Sequence, residues 1–278
     1  MAIEQANGMS NKILLFIPAY NCEKQIVRVL AQLDSTQSAF FEHVIVVNNR
    51  STDGTEDAAL ASAMARGDGK VEILRNRENY GLGGSHKVAF DYALRNDFDY
   101  VAVLHGDDQG RIADLTRRFA QADTEQSDCL LGARFHPDSS LVGYSPFRTL
   151  GNRLFNAAFS IVARRRLFDL GAGLNLYRTD ILRDRFYERF SDDLTFNYCM
   201  ILAHCALGHR IAFFPIEWRE EDQISNVRLV RQAVRSLALL ASFAFGRRRF
   251  LTSEHRAAPR ASYDWDTVDA GTPKAAVS

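Results

Sequence analysis

Short apolar runs alternate with amphipathic segments through the first 110 residues of the chain. The apolar runs are rich in β-branched and aromatic side chains, which is typical of buried parallel strands. The segments between them place apolar residues three or four positions apart, as amphipathic helices do. The predicted strands are residues 12–17, 43–48, 71–74 and 100–104, and the predicted helices are residues 23–33, 56–65 and 86–95. This alternation predicts an α/β fold with a mainly parallel central sheet and helices on both faces.

The second half of the chain has the same kinds of element in a less regular order. Helices are predicted over residues 112–122 and 193–207, and strands over residues 129–132 and 210–215. Residues 169–177 are rich in glycine and are predicted to form a loop.

Two longer amphipathic segments, residues 148–163 and 227–245, are predicted as helices. The end of the chain is rich in Ala, Pro, Ser and Thr, a composition typical of disorder. The predicted organisation is a flexible N-terminus over residues 1–11, one domain over 12–226 with halves 12–110 and 111–226, an amphipathic helix over 227–250 and a disordered tail over 251–278.

Polar residues follow the predicted strands of the first half where each apolar run ends. The clearest case is His105-Gly-Asp-Asp-Gln109, directly after the strand 100–104. Ligands bind outside the carboxyl ends of the strands in open α/β sheets, and carboxylate oxygens suit Mg²⁺ or Mn²⁺ carrying a diphosphate. This predicts a metal-assisted nucleotide-sugar site centred on Asp107. A solvated Gly-Asp turn that closes the strand fits this stretch equally well.

The ends of the first two strands carry residues that suit a nucleotide. Tyr20 and Asn21 follow Pro18 and could shape a base and ribose pocket, although a plain strand exit explains them as well. Asn48 and Asn49 end the second strand, where a side-chain amide could read a base edge. Helix capping explains the Ser, Thr and Asp residues that follow them, but not two successive asparagines.

Other residues suit phosphate binding or proton transfer. Gly81 and Gly83 precede a predicted helix, where backbone N–H groups can bind phosphate, and close packing is the alternative. Arg134 could form a bidentate contact with phosphate oxygens, or lie solvated at the surface. Asp169 and Asp193 are the predicted general bases, with an Asx turn and a helix N-cap as their structural alternatives.

The composition restricts the possible partners. The chain has 278 residues, of which 46% are hydrophobic and 24% charged, as in ordinary soluble domains. Its 34 basic side chains balance its 34 acidic ones, so there is no bulk electrostatic argument for binding nucleic acid. The four cysteines are scattered, the N-terminus has no signal-peptide pattern, and the longest apolar run, residues 237–245, is too short to span a membrane. These features predict a cytoplasmic protein without a transmembrane segment.

Two arginine triplets, residues 164–166 and 247–249, lie beside the long amphipathic segments. Helices of this kind can lie in the headgroup region of an anionic membrane, which predicts peripheral contact at the cytoplasmic face. The alternative is that both helices pack on the domain or on a second subunit. The sequence leaves the oligomeric state open, with a homo-oligomer among the alternatives.

Four stretches, taken in order, resemble family 2 glycosyltransferases of the GT-A fold. They are Phe16-Ile-Pro-Ala-Tyr-Asn21, residues 46–55, Asn79-Tyr-Gly-Leu-Gly-Gly84 and His105-Gly-Asp-Asp-Gln109. Four further motifs resemble the dolichyl/polyprenyl-phosphate sugar synthase branch of that family. These are Gly132-Ala-Arg134, Arg148-x3-Asn152, Asp169-x3-Gly173 and Pro215-Ile-Glu-Trp-Arg219.

The resemblance implies a Rossmann-like nucleotide-binding half joined to an acceptor half. It also implies an inverting transfer from a UDP- or GDP-linked sugar, with Mg²⁺ or Mn²⁺, to a polyprenyl-phosphate or saccharide acceptor in cell-envelope polysaccharide or glycoconjugate synthesis. The residues that it assigns are Pro18, Tyr20 and Asn48 to the base and ribose, Asp107 to the metal with Gln109 beside it, and Arg134 to the diphosphate or an acceptor phosphate.

The chain departs from the family pattern at three places. His105 stands where the family usually has a carboxylate, and since imidazole can ligate Mn²⁺ we predict it as a second metal ligand. Asn48 stands where the family usually has an aspartate, and the stretch after Arg219 lacks the basic Gly-x-Ser-Lys of many polyprenyl-phosphate enzymes. Two alternatives therefore stay open: a non-catalytic nucleotide-sugar-binding relative, and a nucleotidyltransferase. A nucleotidyltransferase would be expected to have a basic glycine-rich loop where this chain has Pro-Ala-Tyr-Asn, which argues against that alternative.

Overall fold

The computed structural model describes residues 11–121, 126–220 and 229–269 of the chain. Its main feature is an eight-stranded sheet, and a separate two-stranded sheet lies beside it. The large sheet contains β1 Ile13–Ala19, β2 His43–Asn48, β3 Val71–Asn76, β4 Tyr100–Leu104, β5 Cys129–Ala133, β7 Leu174–Arg178, β8 Ile211–Pro215 and β10 Trp265–Val268. The small sheet pairs β6 Ser140–Val142 with β9 Glu217–Arg219.

Helices flank the large sheet on both faces. They are α1 Glu23–Ala31, α2 Ser35–Ser38, α3 Thr55–Arg66, α4 Gly81–Arg95, α5 Ile112–Phe119, α6 Pro146–Ala163, α7 Phe196–Leu207, α8 Leu229–Phe245 and α9 Arg247–Thr252, with a 3₁₀ turn at Asp180–Leu182. Alternate residues of β1 enter two different cores: Leu15 faces the core under α1, α3 and α5, and Phe16 faces the core under α4 and α7. A strand that is buried on both faces reads as a continuous apolar run, which is why the sequence pattern located it.

The order of strands in the sheet is β10-β3-β2-β1-β4-β7-β5-β8. The pairs β1–β2, β2–β3, β1–β4 and β5–β8 are parallel, whereas β7 and β10 run antiparallel to their neighbours. The predicted α/β fold with a mainly parallel sheet is therefore confirmed. Because β1, β2, β3 and β4 are parallel, their carboxyl ends meet at one edge of the sheet.

The structure corrects the predicted glycine-rich loop over residues 169–177. Its second part forms β7, a central strand that pairs antiparallel with both β4 and β5. Gly173 and Asn175 concealed this strand, because neither residue has high β propensity. Gly173 is required by its surroundings, since a Cβ atom there would lie 2.3 Å from the ring of His105.

The start of α4 is a second correction. The sequence predicted a loop followed by a helix from residue 86, but the helix begins at Gly81. The three glycines of the stretch 81–84 therefore belong to the first turn of α4.

The predicted disordered tail is wrong as far as residue 269. Residues 265–268 form β10, which pairs antiparallel with β3 at the sheet edge. The hydroxyl of Tyr80 also donates a hydrogen bond to the backbone oxygen of Asp264 at 3.1 Å. A four-residue strand with a distant partner leaves almost no periodic signal in the sequence.

Several predictions fall outside the described residues. Residues 270–278 of the tail, most of the N-terminal segment 1–11 and the acidic stretch after Glu220 are in this group. Within the described parts of the chain, no helix combines the length and the apolar character that crossing a bilayer requires.

Candidate active site

The loops after β1, β2 and β4 meet at the carboxyl edge of the sheet. The N–H of Asn49 donates to the backbone oxygen of Ala19 at 2.9 Å, and that of Gly106 donates to the oxygen of Pro18 at 3.0 Å. A Cβ atom at position 106 would lie 2.8 Å from that same oxygen, so a glycine is needed there. The structure thus brings together the three strand ends that carry the predicted nucleotide and metal residues.

Asp107 and Asp108 are adjacent in sequence, but their carboxylates have different roles. Asp108 adopts a left-handed backbone conformation with φ of 60°. Its carboxylate turns to α1, where it pairs with Nε of Arg28 at 2.5 Å and accepts from Nε2 of Gln32 at 3.1 Å. Asp108 is therefore a turn residue tied to a helix, and the metal-binding role of Asp107 stays a prediction.

Asp107 lines an open cavity, as Asp108 does. A cavity of about 390 Å³ extends from Asp107 and Gln109 to side chains of α1 and to Arg219 of β9. Oδ1 of Asp107 accepts from the N–H of Gln109 at 3.3 Å, and the oxygen of Gln109 accepts from the N–H of Arg219 at 3.0 Å. Burial, together with the nearby charge of Asp108, raises the pKa of Asp107 to about 6.

His105 lies away from that space. Its ring packs against Gly173, and the centroid of the ring lies 6.2 Å from the centroid of the His86 ring. Its Nε2 atom is buried and has no hydrogen-bond partner among the described residues. Burial first, and then the charge of Arg134, lower the pKa of His105 to about 4, so the imidazole is neutral. Neutral imidazole is the form that binds metals, and the predicted role of His105 as a metal ligand stays a prediction.

The two residues that follow β1, Tyr20 and Asn21, have different surroundings. Oδ1 of Asn21 accepts from the N–H of Thr52 at 2.8 Å, and the N–H of Asn21 donates to Oγ of Ser51 at 3.1 Å. Asn21 therefore joins the β1 and β2 loops. Tyr20 is 50% exposed, which leaves its ring able to contact a base.

Asn48 is held by a network that the sequence did not reveal. Its Nδ2 donates to Oε2 of Glu56 at 2.6 Å, its Oδ1 accepts from the N–H of Ser51 at 2.9 Å, and its side chain is buried. Glu56 in turn pairs with Arg75 at 2.5 Å. Both ends of the Asn48 amide are thus engaged by protein, so the amide is well placed to fix the loop. Its predicted contact with a base stays a prediction.

Asn49 connects the site to the start of α4. Its Oδ1 accepts from Nδ2 of Asn76 and from the N–H of Tyr80, while its Nδ2 donates to Oδ1 of Asn79 at 2.8 Å. The same Asn79 oxygen accepts from the N–H of Gly81 at 3.0 Å. The buried amides of Asn49 and Asn76, together with the exposed Asn79, hold the ends of β2 and β3 against α4, a structural role that accounts for the second asparagine.

The glycines of α4 are explained by close packing rather than by a phosphate cradle. Cβ atoms at Gly81 and Gly83 would lie 2.4 and 2.3 Å from backbone oxygens of Asp192 and Ser191. The N–H of Gly83 already donates to the oxygen of Asp192 at 2.7 Å. The predicted use of the Gly83 N–H for phosphate is wrong in this arrangement, because that donor is occupied.

Arg134 of the acceptor half is fixed by Asp169. Nε and Nη2 of Arg134 each lie 2.8 Å from the carboxylate, which also accepts from the backbone N–H of Arg134 at 2.8 Å. The guanidinium lies 5.2 Å from the ring centroid of Trp218. Burial lowers the pKa of Arg134, but the Asp169 charge outweighs it and leaves that pKa above its ordinary value. This environment favours a positioning role for Asp169 over the predicted role as a base, which stays a prediction.

Asp193 is engaged in the turn before α7. Its Oδ1 accepts from the N–H and Oγ1 of Thr195 at 2.8 and 2.6 Å, and from Oγ of Ser191 at 2.8 Å. Its Oδ2 pairs with Arg235 of α8 at 2.8 Å. Burial raises the pKa of Asp193, but the hydrogen bonds outweigh it and hold the pKa below its usual value. The capping alternative explains these contacts, and a catalytic role stays a prediction.

A model of glycosyl transferase family 2 matches residues 15–186, more than half of the chain. The chain belongs to glycosyltransferase family 2. This glycosyltransferase is 27% identical over 213 residues to the undecaprenyl-phosphate mannosyltransferase of Micrococcus luteus, covering 76% of its own chain and 85% of the relative. It is 26% identical over 176 residues to glycosyltransferase AglJ of Haloferax volcanii, covering 62% of its own chain and 52% of that relative. These relatives support the resemblance to the polyprenyl-phosphate sugar synthase branch.

The fold of the glycosyltransferase is similar to that of solved enzymes. Glucosyl-3-phosphoglycerate synthase from Mycobacterium tuberculosis, solved with Mn²⁺ and UDP-glucose, matches with a TM-score of 0.59 at 16% identity, covering 84% of this chain and 79% of that one. The same enzyme solved with UDP alone gives the same TM-score over 84% and 80%. The GT-A architecture predicted from the motifs is therefore confirmed.

Two sets of contacts in the glycosyltransferase were not predicted from the sequence. Lys87 is buried in α4, where its Nζ lies 2.6 Å from Asp192 and 3.0 Å from the hydroxyl of Tyr263. The ring of Tyr144 lies 4.7 Å from the guanidinium of Arg148, and Glu220 pairs with Arg148 at 2.5 Å. The contacts of Lys87 and Glu220 join residues far apart in the chain, so no local signal marks them.

Proposed function

We propose that the glycosyltransferase transfers a sugar from a UDP- or GDP-linked donor to a lipid phosphate at a membrane surface, with inversion of the anomeric carbon. The observation that carries this proposal is the position of Arg134 and Arg148. Arg148 lies in the first turn of α6, a helix with exposed apolar residues, and its guanidinium is 4.7 Å from the ring centroid of Tyr144. The guanidinium of Arg134 lies 5.3 Å from the ring centroid of Phe135, which packs against the Tyr144 ring. A lipid phosphate needs cations beside an apolar surface, and the acceptor half offers both.

The apolar surface is formed by exposed side chains of α6 and α8, two helices that pack against each other. On α6, the exposed apolar residues recur at intervals of three, four and seven positions, which places them on one stripe of a helix. The members of the apolar surface are Phe147, Leu150, Leu154 and Ile161 of α6, and Val234, Leu237 and Phe245 of α8. Exposed stripes of this kind mark surfaces that bind protein or membrane.

Arginines border the apolar surface. The two triplets identified in the sequence come together, because Nη2 of Arg247 donates to the oxygen of Val162 at the end of α6 at 3.3 Å. Arg164, Arg247 and Arg248 are exposed. Basic residues near a membrane surface each contribute about 1 kcal/mol of attraction to anionic lipid. This arrangement supports peripheral contact at the cytoplasmic face.

A divalent cation fits the donor site through Asp107. One or two carboxylates plus the phosphates of the substrate are the usual ligands of Mg²⁺ in such sites, and Asp107 lines an open cavity. The described residues contain no cluster of three or more His, Cys, Asp or Glu side chains able to hold a metal by themselves. A cation held by Asp107 and the donor diphosphate would neutralise charge on the leaving group.

The proposed transfer requires no proton transfer by the remaining carboxylates, Asp169 and Asp193. An oxygen of the acceptor phosphate attacks the anomeric carbon, the bond from that carbon to the donor diphosphate breaks, and the nucleoside diphosphate leaves. A phosphate is already an anion, so the attack requires no general base. This agrees with Asp169 and Asp193, whose oxygens are engaged by Arg134 and by the turn before α7. In this mechanism Arg134 holds the acceptor phosphate and the protein supplies orientation.

A panel of acceptors tests the proposal. The chain is incubated with Mn²⁺ and UDP- or GDP-linked sugars, and with citronellyl phosphate, citronellol or a free saccharide as acceptor. We expect a glycosylated product with citronellyl phosphate alone. Transfer to the saccharide without transfer to citronellyl phosphate would replace the lipid phosphate by a saccharide acceptor and leave the glycosyltransferase assignment intact.

A further inference from the structure

Tyr144 lies where the acceptor half meets the apolar surface. It follows Gly143 and precedes α6, and its ring is half-buried. The guanidinium of Arg148 lies 4.7 Å from the centroid of this ring, and Phe135 packs against the ring edge-on at 5.9 Å. A glycine is needed at position 143, because its φ is +75° and a Cβ atom there would lie 2.5 Å from the backbone oxygen of Glu220. The ring is therefore held on several sides.

The hydroxyl of Tyr144 is oriented by one neighbour. Nδ2 of Asn152 donates to it at 2.8 Å and also donates to the backbone oxygen of Arg148 at 2.9 Å, which fixes the amide. A phenol can accept and donate at the same time. Among the described residues, no acceptor receives the proton of the Tyr144 hydroxyl. The result is a donor with a fixed position and no assigned acceptor.

Two arginines surround this donor, and each has its own carboxylate. Arg134 pairs with Asp169 and Arg148 pairs with Glu220, and all four charges act on the Tyr144 phenol. Burial raises the pKa of Tyr144, and the charges of the two arginines oppose that rise without reversing it. The phenol therefore keeps its proton at neutral pH and stays a donor.

Resting on the proposed function, we propose that Tyr144 is an acceptor-binding residue whose hydroxyl donates a hydrogen bond to the anionic oxygen of the acceptor phosphate. Arg134 and Arg148 supply the charge at this site, and Tyr144 supplies a directed contact that Asn152 orients. Hydrogen bonds to charged groups are stronger than those between neutral groups. The hydroxyl therefore favours a phosphate over an uncharged end group.

Three variants test this inference by calorimetry with citronellyl phosphate as the probe. Tyr144→Phe removes the hydroxyl and retains the ring contacts with Arg148 and Phe135. Tyr187→Phe is the matched control, because Tyr187 is buried in the core and its hydroxyl has no partner among the described residues. We expect Tyr144→Phe to weaken binding about tenfold and Tyr187→Phe to leave it unchanged.

Asn152→Ala separates orientation from packing. We expect this variant to weaken binding by a smaller factor, about threefold, and to have no further effect when Tyr144→Phe is already present. Binding of UDP or GDP should be equal in all variants. Unchanged binding of citronellyl phosphate to Tyr144→Phe would overturn the role of Tyr144 while leaving the proposed acceptor in place. A wild-type chain that fails to bind citronellyl phosphate would overturn both the proposed acceptor and this role.

Discussion

Arg134 and Asp169 form a buried ion pair in the acceptor half, with only 14% and 2% of their side chains exposed. The carboxylate also accepts from the backbone N–H groups of Leu170 and Gly171, at 2.7 and 3.1 Å. Asp169 thus holds both the guanidinium and its own loop. An arginine that is fixed in this way loses little freedom when it binds a phosphate.

Replacing Asp169 with asparagine should destabilise the protein as well as weaken acceptor binding. The change leaves the Arg134 charge buried without a counter-ion, which typically costs about 3–5 kcal/mol. Urea unfolding of Asp169→Asn measures the loss. The control is Asp180→Asn, which breaks a surface pair with Arg178 and should cost less than about 1 kcal/mol. Equal losses in both variants would contradict the importance assigned to the buried pair.

At the scale of single residues, the sequence indicated which positions to consider better than it indicated the role of each one. The metal-binding role of Asp107 stays a prediction, and only the left-handed backbone of Asp108 and its pairing with Arg28 show that the two adjacent carboxylates have different surroundings. Gly83 was interpreted as a phosphate donor, and its N–H is bonded to Asp192 instead. Such roles depend on contacts between distant residues, which no local pattern encodes.

At the scale of elements, the C-terminal strand β10 is attached to the sheet through Glu72 of β3. Oε1 of Glu72 accepts from Oγ1 of Thr267 at 2.8 Å, and Oε2 accepts from the hydroxyl of Tyr92 at 2.8 Å. The contact with His43, followed by those with Tyr92 and Thr267, lowers the pKa of Glu72 to about 2 in spite of burial. One carboxylate therefore connects β2, β3, α4 and β10.

This depressed pKa makes part of the stability dependent on pH. A carboxylate whose pKa is lower in the folded state stabilises the fold above its ordinary pKa of 4.5, and that contribution is lost as the pH falls towards 2. Glu72→Gln should be less stable than wild type by about 2 kcal/mol at pH 6, after allowance for solvent screening. The difference in unfolding free energy should narrow as the pH is lowered to 3. A difference that stays constant between pH 6 and pH 3 would argue against this role of Glu72.

The elements that the sequence predicted well are those with strong local signals. Strands β2 and β4 have the predicted bounds, because each is a continuous apolar run ended by polar residues. Strands β7 and β10 were missed for different reasons, although both pair with strands distant in sequence. Tyr177 is the residue of high β propensity in β7, so tertiary pairing decided this strand against local preference. Strand β10 has residues of high β propensity but is only four residues long and lies in a stretch whose composition is typical of disorder.

At the scale of the whole molecule, the acceptor half combines a polar site with an apolar exterior. Arg148 and the apolar surface share helix α6, so we expect a ligand with a phosphate head and an apolar tail to contact both. The alternation of strands and helices predicted the donor half almost completely. The sequence pattern also predicted α5, β5, α6, α7 and β8 of the acceptor half, but contacts such as those of Arg134 with Asp169 and of Arg148 with Glu220 join residues too far apart in the chain to be predicted.

Membrane contact through the apolar surface can be measured by co-sedimentation with anionic vesicles. Leu154→Glu places a charge on the apolar surface and should reduce pelleting by about tenfold, because burying a charge in the interface is unfavourable. Met64→Glu is the matched control, since Met64 and Leu154 are both 63% exposed and Met64 lies on α3. High salt should weaken the binding of the wild type by screening the arginines. Equal pelleting of the two variants would exclude the apolar surface as the contact.

Sugar transfer to a lipid phosphate at Asp107 is the central claim, and a radiolabelled transfer assay tests it most directly. Labelled sugar from UDP- or GDP-linked donors is followed onto citronellyl phosphate with Mn²⁺ present, for wild type, Asp107→Ala and Asp184→Ala. Asp184 is exposed and distant in sequence from the site loops, so its variant controls for the loss of a carboxylate. We predict that Asp107→Ala loses about a hundredfold or more in turnover while Asp184→Ala remains equal to wild type. Turnover of Asp107→Ala equal to that of wild type would contradict the claim.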